Sequence, residues 1–533
     1  MADDKDGGGT MECHWIGTSG FLGPKYSIVS VLQHILSAVA CLPLLSSGIS
    51  IGYPATTLLQ LRPTSSNTTF TLDVDQESWS TSMLAATAPL GGFIAITLLD
   101  RLGRRTLLLA SNVPALLGWL LVSRAPHTSS PTNELYAARG LAGVSLGVAM
   151  TSCTVYLAEV ITLRSSHPLT SWPGLVLSLG VFVAYVLGTL LHWTIVAWVA
   201  TAVPCLAVLA VVWALPESPA WLRLQGRSGD ADWALQRLRL PYPPSSPSLP
   251  CPGCSTDSKK HDNCLFCADR FQDPSTSQVN DASDNDDACK TMLQVLFTKE
   301  VMKNLFVQVL LVFFQQFSGI FAILAYLVDV IDGLNVTELG PYNVAMLCGA
   351  LLFLSNMCFS ILEPKLGIRN IIIFCSAGMA FSMLFLSFHL ALLHVGGAMA
   401  VLYYKWIPFA AILFFVFFGG AWVAVFPWLE LGEKFPPRVK GTIGYILFLF
   451  TFAFYFVNLK FFPPTTAYFR FEMTEVWYYL CLISTVGTVF MFFFWPKSQY
   501  TLVGVMGGTV VTPMYTVLPE EERLLSTDDV LRT

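Results

Sequence analysis

The sequence predicts an all-α membrane protein with twelve transmembrane helices arranged as two six-helix bundles. Three observations lead to this prediction. Of the 533 residues, 54% are hydrophobic and only 12% are charged, about half the charged fraction of an average globular protein. Twelve apolar runs have the length of about 20 residues that crosses roughly 30 Å of hydrocarbon. The last six runs repeat features of the first six.

The predicted spans divide the chain into five parts. A cytosolic tail, 1–27, precedes the first bundle, 28–222, and a long cytosolic loop, 223–303, leads to the second bundle, 304–495, and a cytosolic tail, 496–533. The loop is rich in Pro, Ser and Asp, which predicts that it is largely disordered. The first tail lacks the apolar core of a signal peptide, so we expect the first span to act as an uncleaved signal. The predicted spans are 28–51, 79–99, 106–123, 135–158, 172–191, 194–215, 304–330, 342–362, 371–393, 404–428, 441–462 and 475–495.

The basic residues predict the orientation. With both termini in the cytosol, the short cytosolic segments hold 14 Lys and Arg, as the positive-inside rule requires. The outer segments hold 6, which are Arg62, Arg124, Arg139, Lys405, Lys460 and Arg470. Two Asn-x-Thr sequons, at Asn67 and Asn335, fall on the outer side and are candidate glycosylation sites. None of the 13 cysteines falls in a predicted outer loop. We therefore expect no extracellular disulfide framework.

The two halves of the chain repeat each other. Asp-Arg-Leu-Gly-Arg-Arg at 100–105 follows the second span, and Pro-Lys-Leu-Gly-Ile-Arg at 364–369 follows the eighth. An acid and an arginine also close the fourth and the tenth span. Duplication of this kind is typical of transporters that bind their substrate between two bundles.

Acids and arginines occupy matched positions at the cytosolic ends of the spans. Bidentate Arg–carboxylate pairs are strong and geometrically specific, so they are suited to hold a cytosolic gate closed in one state. The alternative is that the arginines only anchor the topology, a role that does not require the acids. The candidate gate residues are Asp100, Arg101, Arg104, Arg105, Glu159, Arg164, Glu433 and Arg438.

Five motifs occur in order at the ends of the spans. They are DRLGRR at 100–105, YLAEV at 156–160, PESPAWL at 216–222, QQFSGI at 315–320 and FPWLELGEKFPPRVKG at 426–441. Together they resemble the sugar-porter branch of the major facilitator superfamily, and within it the insect-type facilitated trehalose and glucose transporters. The resemblance implies the major facilitator fold and a central cavity between the two bundles.

The resemblance also implies sugar-binding residues. In the family, paired glutamines of the seventh helix bind sugar hydroxyls, and they match Gln315 and Gln316. A neutral amide offers donors and acceptors without a charge to desolvate. The family's helix-ten tryptophan, which supports the sugar, matches Trp428. The alternatives are contacts between helices for the glutamines and a position at the membrane interface for Trp428.

Several family positions differ in this chain. Phe321 replaces an asparagine, Leu352 replaces the helix-eight asparagine, and Thr451 begins the pair that replaces asparagine-tryptophan in helix eleven. Each lost hydrogen bond costs about 1 kcal/mol, while millimolar binding is worth only about 4 kcal/mol. The sequence therefore predicts a less polar cavity, in which Phe321 and Thr451 are candidate substrate contacts.

The predicted function is facilitated transport of a hexose or a trehalose-like sugar, without enzymatic chemistry or a cofactor. Proton-coupled sugar porters resemble one another in having an Asp in helix one, and residues 26–62 contain no Asp or Glu. Glu430 is an acid within the tenth span, which is a functional-site hypothesis by default unless it pairs with Lys434. The alternatives are a transporter of a less polar solute and a nutrient sensor that does not transport.

The loop and the tail carry separate patterns. Two Cys-x-x-Cys pairs suit a zinc ion, and the alternatives are palmitoylated cysteines or a loop without a ligand. In the last tail, Tyr515–Leu518 and Glu520–Leu525 are typical of tyrosine-based and dileucine sorting signals, which predicts sorting adaptors as partners. We expect a plasma-membrane protein that cycles through endosomes, and no nucleic-acid partner, because acidic residues outnumber basic ones. The candidate zinc ligands are Cys251, Cys254, Cys264 and Cys267.

Overall fold

The computed structural model describes eight segments of the chain, and residues 29–495 form one compact unit. All contacts below lie within that unit. The predicted glycosylation sites, the loop cysteines and the sorting signals lie outside the described residues. The described segments are 24–61, 71–160, 171–238, 296–334, 339–404, 406–424, 439–467 and 473–494.

The described part of the chain is helical and contains no strand. Eleven of its helical segments are long and apolar enough to cross a membrane, and a twelfth, Trp406–Gly420, is shorter. The predicted fold class, a multi-pass membrane protein of twelve helices, is therefore confirmed. The helices of the first half are Pro24–Thr57, Val74–Leu102, Arg104–Ala110 with Asn112–Arg124, Pro131–Val160, Trp172–Leu190 and Trp193–Ala214. Those of the second half are Lys299–Phe317 with Ile320–Ala325 and Leu327–Leu334, Pro341–Leu366, Ile368–Tyr404, Trp406–Ala424, Lys440–Ala467 and Met473–Phe494.

The seventh span is broken, whereas the sequence predicts one continuous helix over 304–330. Its first helix ends at Phe317, and the chain passes through Gly319 with φ of 88° before the next helix begins. Only glycine adopts this left-handed conformation at little cost. A Cβ at Gly319 would lie 2.6 Å from Cδ2 of Leu480 in the twelfth span, so the break also places the backbone against that helix.

Two further boundaries differ from the prediction. The ninth span continues to Tyr404 instead of ending at 393, because its last turns are apolar and contain no proline that would end a helix. The predicted cytosolic loop begins with a described helix, Ser228–Leu238. Ala231 and Ala234 of this helix are buried against Trp221, so burial of an apolar face stabilises this part of the loop.

Close backbone contacts position the second span against its neighbours. A Cβ at Gly143 or Gly147 of the fourth span would lie within 2.2 Å of a carbonyl oxygen of the second span, so these glycines allow the two helices to pack closely, as small residues do in membranes. The second span also packs along the eleventh, and the fifth along the eighth. The contacts of the second span with the eleventh, and of the fifth with the eighth, join the two halves of the chain.

Candidate functional site

Arg104 is the centre of an ion-pair cluster at the end of the first bundle that the sequence predicts to be cytosolic. Its Nε lies 3.0 Å from both carboxylate oxygens of Glu159, and its Nη2 lies 2.8 Å from Oε1 of Glu159. Nη1 lies 3.2 Å from Asp100, and the Arg104 side chain is 7% exposed. The fork of the guanidinium therefore joins the start of the third span to the end of the fourth. We call Asp100, Arg104, Glu159 and Glu217 the Arg104 cluster.

Glu217 completes the cluster from the chain that follows the sixth span. Its Oε1 accepts hydrogen bonds from the backbone N–H groups of Arg104, Arg105 and Ser218, at 2.9, 3.0 and 3.0 Å. A carboxylate at the start of a helix satisfies free N–H donors and complements the helix dipole. Gly103, with φ of 92°, forms the turn before that helix, and a Cβ there would lie 2.6 Å from Oε2 of Glu217. The predicted gate set omitted Glu217, although the PESPAWL motif contains it.

The other predicted gate residues differ in their side-chain partners, in their exposure and in whether the structure describes them. The Arg105 side chain forms no ion pair within the described residues, and its Nη2 donates to the carbonyl oxygen of Val212 at 2.8 Å. Arg101 is exposed and forms no ion pair with a residue that the structure describes. Arg164, Glu433 and Arg438 lie outside the described residues, as does Trp428.

The two candidate glutamines lie just before the break in the seventh span. Gln315 and Gln316 are each 2% exposed. The backbone carbonyl of Gln316 accepts a hydrogen bond of 2.5 Å from Nδ2 of Asn458 in the eleventh span. Its side-chain oxygen Oε1 is buried and accepts no hydrogen bond from the described residues. Gln316 therefore places an unused acceptor in the interior of the protein.

Phe321 and Thr451, the two other predicted substrate contacts that the structure describes, are both buried. The Phe321 ring packs against Tyr455 of the eleventh span with centroids 5.2 Å apart, and Phe321 is 7% exposed. The Thr451 hydroxyl donates to the carbonyl of Leu447 in its own helix at 2.7 Å. Because that hydroxyl proton is used within the helix, Thr451 retains only acceptor capacity for a ligand.

Two asparagines that the sequence reasoning passed over are close to these positions. Asn356 is fully buried and lies one helical turn after Leu352, whose carbonyl accepts its Nδ2 at 3.0 Å. Its Oδ1 accepts no hydrogen bond within the described part of the chain. Asn458 is half-buried and contacts Gln316 as described above. The amides missing at Leu352 and Thr451 therefore have counterparts further along the same two helices.

Arg139 of the fourth span is buried, although the sequence count placed it among the outer basic residues. Its side chain donates to the carbonyl oxygens of Ser80, at 3.1 Å, and of Ser50, and it contacts the Ser50 hydroxyl at 3.2 Å. No carboxylate among the described residues forms an ion pair with it. Arg139 therefore joins the first, second and fourth spans through neutral acceptors and is not a topology anchor in a loop.

Lys460 joins the two halves near those ends of the second and eleventh spans that the sequence predicts to face the outer side. Its Nζ lies 2.7 Å from Oδ1 of Asp75, 2.8 Å from the Ser78 hydroxyl and 4.3 Å from the centroid of the Trp79 ring. Trp79 also packs against Phe456 of the eleventh span, with centroids 6.1 Å apart. One lysine therefore makes an ion pair, a hydrogen bond and a cation–π contact to the other half. We call Lys460, Asp75, Ser78 and Trp79 the outer clamp.

Comparison with protein families gives a match over nearly the whole membrane part of the chain. Residues 37–501 match the family model described as "Sugar (and other) transporter". The match covers more than half of the chain and includes both bundles. It begins within the first span and ends after the last.

Curated relatives share about a quarter of their residues with the chain. The facilitated trehalose transporter Tret1 of Culex quinquefasciatus is 25% identical over 452 residues, which cover 85% of this chain and 80% of that protein. The Tret1 of Apis mellifera ligustica is 26% identical over 440 residues and is also covered to 80%. Other relatives of this name are longer, and the chain spans 56% of the Anopheles gambiae protein.

Solved structures share the architecture. The xylose transporter XylE from E. coli, in a partially occluded inward open conformation, superposes with a TM-score of 0.63 over 89% of this chain and 99% of that chain. The two sequences are only 15% identical. The likeness therefore concerns the fold.

Proposed function

The chain belongs to the sugar (and other) transporter family, and from this premise we propose that it carries a sugar across the membrane by facilitated diffusion. The two bundles rock about a central site and expose it to each side in turn, without covalent chemistry. The substrate is a hexose or a trehalose-like sugar. The observation that carries the proposal is the pair of buried glutamines, Gln315 and Gln316, at the break of the seventh span.

The chemistry of this region supports a polyhydroxylated, uncharged substrate. The free Oε1 of Gln316 can accept a hydrogen bond from a hydroxyl group, and so can the free Oδ1 of Asn356. No charged group is needed for such contacts, and an uncharged substrate avoids the cost of desolvating an ion. Phe321 and Tyr455 supply flat apolar surface beside the glutamines. A sugar ring presents C–H groups to such a surface and hydroxyls to the amides.

The surroundings of Arg139 support transport without proton coupling. A proton-coupled carrier requires a group in the membrane that gains and loses a proton during the cycle. Arg139 stays charged and is stabilised by carbonyl and hydroxyl oxygens of Ser50 and Ser80. The first span supplies no carboxylate partner, since residues 26–62 lack Asp and Glu. The sugar therefore moves down its own gradient.

The two ion-pair groups act at opposite ends of the cycle. The Arg104 cluster holds the cytosolic ends of the third and fourth spans together, and Arg164, Glu433 and Arg438 complete this gate from the parts of the chain outside the described residues. The outer clamp joins the second and eleventh spans on the other side. When the outer side opens, Lys460 has to leave Asp75. When the cytosolic side opens, the contacts of Arg104 have to rearrange.

The cellular setting extends the same proposal. The chain acts at the plasma membrane and cycles through endosomes by means of adaptors that bind the tyrosine-based and dileucine patterns of its last tail. Asn67 and Asn335 carry glycans on the outer side.

A zinc ion held by the four loop cysteines is the most specific of the three alternatives for that loop, and metal analysis of the full chain against a variant without Cys251 and Cys254 tests it.

Uptake into vesicles tests the proposed function. The purified chain is reconstituted and supplied with radiolabelled glucose or trehalose, in parallel with Gln315→Ala and Gln316→Ala. Gln236→Ala, which changes an exposed glutamine of the same chemistry, is the matched control. We expect uptake by the unmodified chain and the control, and a reduction of about tenfold in the two buried variants, because one or two hydrogen bonds to the substrate are lost.

Two other results of the uptake experiment would favour the alternative functions, a transporter of a less polar solute and a sensor that does not transport. The Phe321–Tyr455 contact and the Thr451 hydroxyl, which is used within its own helix, favour the less polar solute. Uptake of a less polar solute and of neither sugar supports that alternative. Sugar binding without any flux, in vesicles that retain a folded protein, supports the sensor.

A further inference from the structure

A cavity of about 400 Å³ lies beside the Arg104 cluster, at the cytosolic ends of the third and sixth spans. The two short helices that follow the sixth span, Pro219–Leu224 and Ser228–Leu238, form its other wall. A volume of this size is typical of small-ligand sites. Its lining arginines are Arg105, Arg227 and Arg237, its lining carboxylates are Glu217 and Asp230, and its lining aromatic residues are Trp221 and Trp233. We call it the arginine cavity.

Two of the three arginines have no carboxylate partner in the described part of the chain. Arg105 donates through Nη2 to the Val212 carbonyl at 2.8 Å, and Arg237 donates through Nη2 to the Trp213 carbonyl at 2.7 Å. Nε of Arg105 is buried and has no described acceptor. Each guanidinium has five N–H donors in a fixed arrangement. Both arginines therefore retain donors that an anion could occupy.

The acids of the cavity are already engaged. Glu217 accepts three backbone N–H groups, as described above, and Asp230 forms an ion pair of 2.7 Å with Arg227. Three arginines and two carboxylates line the cavity, so one positive charge is left over. Arg105 and Arg237 supply that excess, since neither guanidinium forms an ion pair with a described carboxylate. The electrostatics of the cavity therefore favour an anion.

Exposed tryptophans indicate where the cavity lies relative to the bilayer. Trp233 is 54% exposed, and the Arg237 guanidinium lies 5.3 Å from the centroid of its ring. Trp213, near the end of the sixth span, is 78% exposed. Tryptophan rings at the ends of membrane helices lie at the level of the lipid headgroups. Of the two tryptophans, Trp213 is at the end of a membrane helix, and its carbonyl accepts a hydrogen bond from Arg237. The arginine cavity is therefore at the depth where phosphate groups of the cytosolic leaflet are found.

We propose that the arginine cavity binds a terminal phosphate, a phosphomonoester, on the headgroup of an anionic phospholipid from the cytosolic leaflet. Arg105 and Arg237 donate to the phosphate oxygens, as arginine does in bidentate phosphate recognition, and Trp233 forms the wall beside it. A soluble phosphate compound offers the same chemistry. The position of the tryptophans favours the lipid as the source.

The cavity shares a wall with the Arg104 cluster. Glu217 lines the cavity and at the same time caps the helix that begins at Arg104. A phosphate beside Arg105 repels the Glu217 carboxylate and competes for the same N–H donors. Bound lipid therefore changes the stability of the Arg104 cluster. This effect on transport depends on the proposed function, whereas the binding itself does not.

A binding measurement on the full chain tests the proposal. The chain is placed in phosphatidylcholine nanodiscs, and the binding of fluorescent phosphatidylinositol bisphosphate is measured, with phosphatidylserine as a lipid that carries charge without a terminal phosphate. The variants are Arg237→Gln and Trp233→Ala. Arg223→Gln is the matched control. Arg223 is on one of the two short helices that form the wall, but its side chain pairs with Asp232 at 3.6 Å and does not line the cavity.

We expect the bisphosphate lipid to bind more tightly than phosphatidylserine. Arg237→Gln should weaken binding by about tenfold, the effect of one charge-assisted hydrogen bond. Trp233→Ala should weaken it several-fold, because the ring that contacts the Arg237 guanidinium is lost. Arg223→Gln should bind as the unmodified chain does. Because Trp233 is exposed, Trp233→Ala should fold even where Arg237→Gln does not, and size-exclusion profiles check this.

Three results would overturn the proposal. The first is equal binding by the unmodified chain and both cavity variants. The second is equal binding of phosphatidylserine and the bisphosphate lipid, which indicates a general attraction of charges. The third is binding of soluble inositol trisphosphate as tight as that of the lipid, which assigns the cavity to free phosphate compounds. Failure of transport with lipid binding intact would instead contradict the proposed function.

Discussion

Lys460 and Asp75, separated by 385 positions in the chain, form an ion pair of 2.7 Å between the two halves of the protein. The lysine side chain is 13% exposed, whereas the aspartate is 59% exposed. Such a pair contributes little in water, about 0.2–1 kcal/mol. The Trp79 ring adds a cation–π contact of about 0.5–1 kcal/mol. Together they are large enough to change the population of two conformations by about tenfold.

We predict that Lys460→Met favours the conformation that is open on the outer side. The variant removes the ion pair, the hydrogen bond to Ser78 and the cation–π contact, and it keeps the apolar stem. Access of a membrane-impermeant thiol reagent to a cysteine introduced at the buried Thr81, which is on the same helix but is not part of the clamp, should increase several-fold. Arg124→Met, which breaks the long and exposed contact of 3.9 Å with Glu134, is the control and should leave access unchanged. Equal labelling in Lys460→Met and the control would show that the clamp does not hold the outer side closed.

A second prediction concerns Arg104 and Glu159. Arg104→Gln leaves Glu159 without its bidentate partner at a position that is only 20% exposed. Removal of one partner from a buried pair costs about 3–5 kcal/mol, and we expect about 2–3 kcal/mol here because Glu159 still reaches water. Uptake should fall by more than tenfold, and Arg104→Lys should restore little, because lysine lacks the planar fork.

The control for this prediction is Arg101→Gln, since Arg101 is exposed and unpaired within the described residues. Thermal unfolding in detergent and uptake in vesicles are measured together on all three variants. Normal uptake by Arg104→Gln with an unchanged unfolding temperature would exclude the gate role of this pair.

The twelve spans could be predicted from the sequence because hydropathy alone defines them. The Arg104–Glu159 pair could also be predicted, since both residues lie at span ends in short motifs. The outer clamp could not, because its two halves lie far apart in the chain and each residue alone is an ordinary surface charge. Arg139 was assigned to the outer surface for the same reason: only the folded structure shows that Ser50 and Ser80 surround it.

The break in the seventh span shows a further limit. Ser318-Gly319 lies within a long apolar run, and membrane helices tolerate glycine. Gly319 has a left-handed backbone, and in addition it lies against Leu480, more than 150 residues later, where a Cβ would not fit. Asn356 was missed because the amide lies one turn after the family's position. The break in the seventh span lies at a tertiary contact. The Asn356 amide is shifted by one helical turn on the same face.

We predict that Gly319→Ala destabilises the protein by about 2–3 kcal/mol. The positive φ of 88° costs about 1–2 kcal/mol for a residue with a Cβ, and the new methyl group would meet Cδ2 of Leu480 at 2.6 Å. Gly367→Ala separates these two causes, because Gly367 has φ of 76° and nothing within 4 Å of the added Cβ. Gly367→Ala should lose only the stability that the positive φ costs a residue with a Cβ. Thermal unfolding measures both variants, and equal losses would show that the contact with Leu480 is irrelevant.

The final prediction concerns the energy source. Because no described carboxylate pairs with Arg139 and residues 26–62 contain no acid, sugar uptake should be independent of an imposed pH gradient. Vesicles with an acidic exterior and vesicles at equal pH should fill at the same rate and to the same final concentration as the medium. Arg139→Gln should lower the unfolding temperature, since the carbonyls of Ser50 and Ser80 lose their charged donor, without creating a pH dependence. Accumulation above the external concentration under an inward proton gradient would contradict facilitated diffusion. If Glu430→Gln abolished that accumulation, the coupling carboxylate would be in the tenth span.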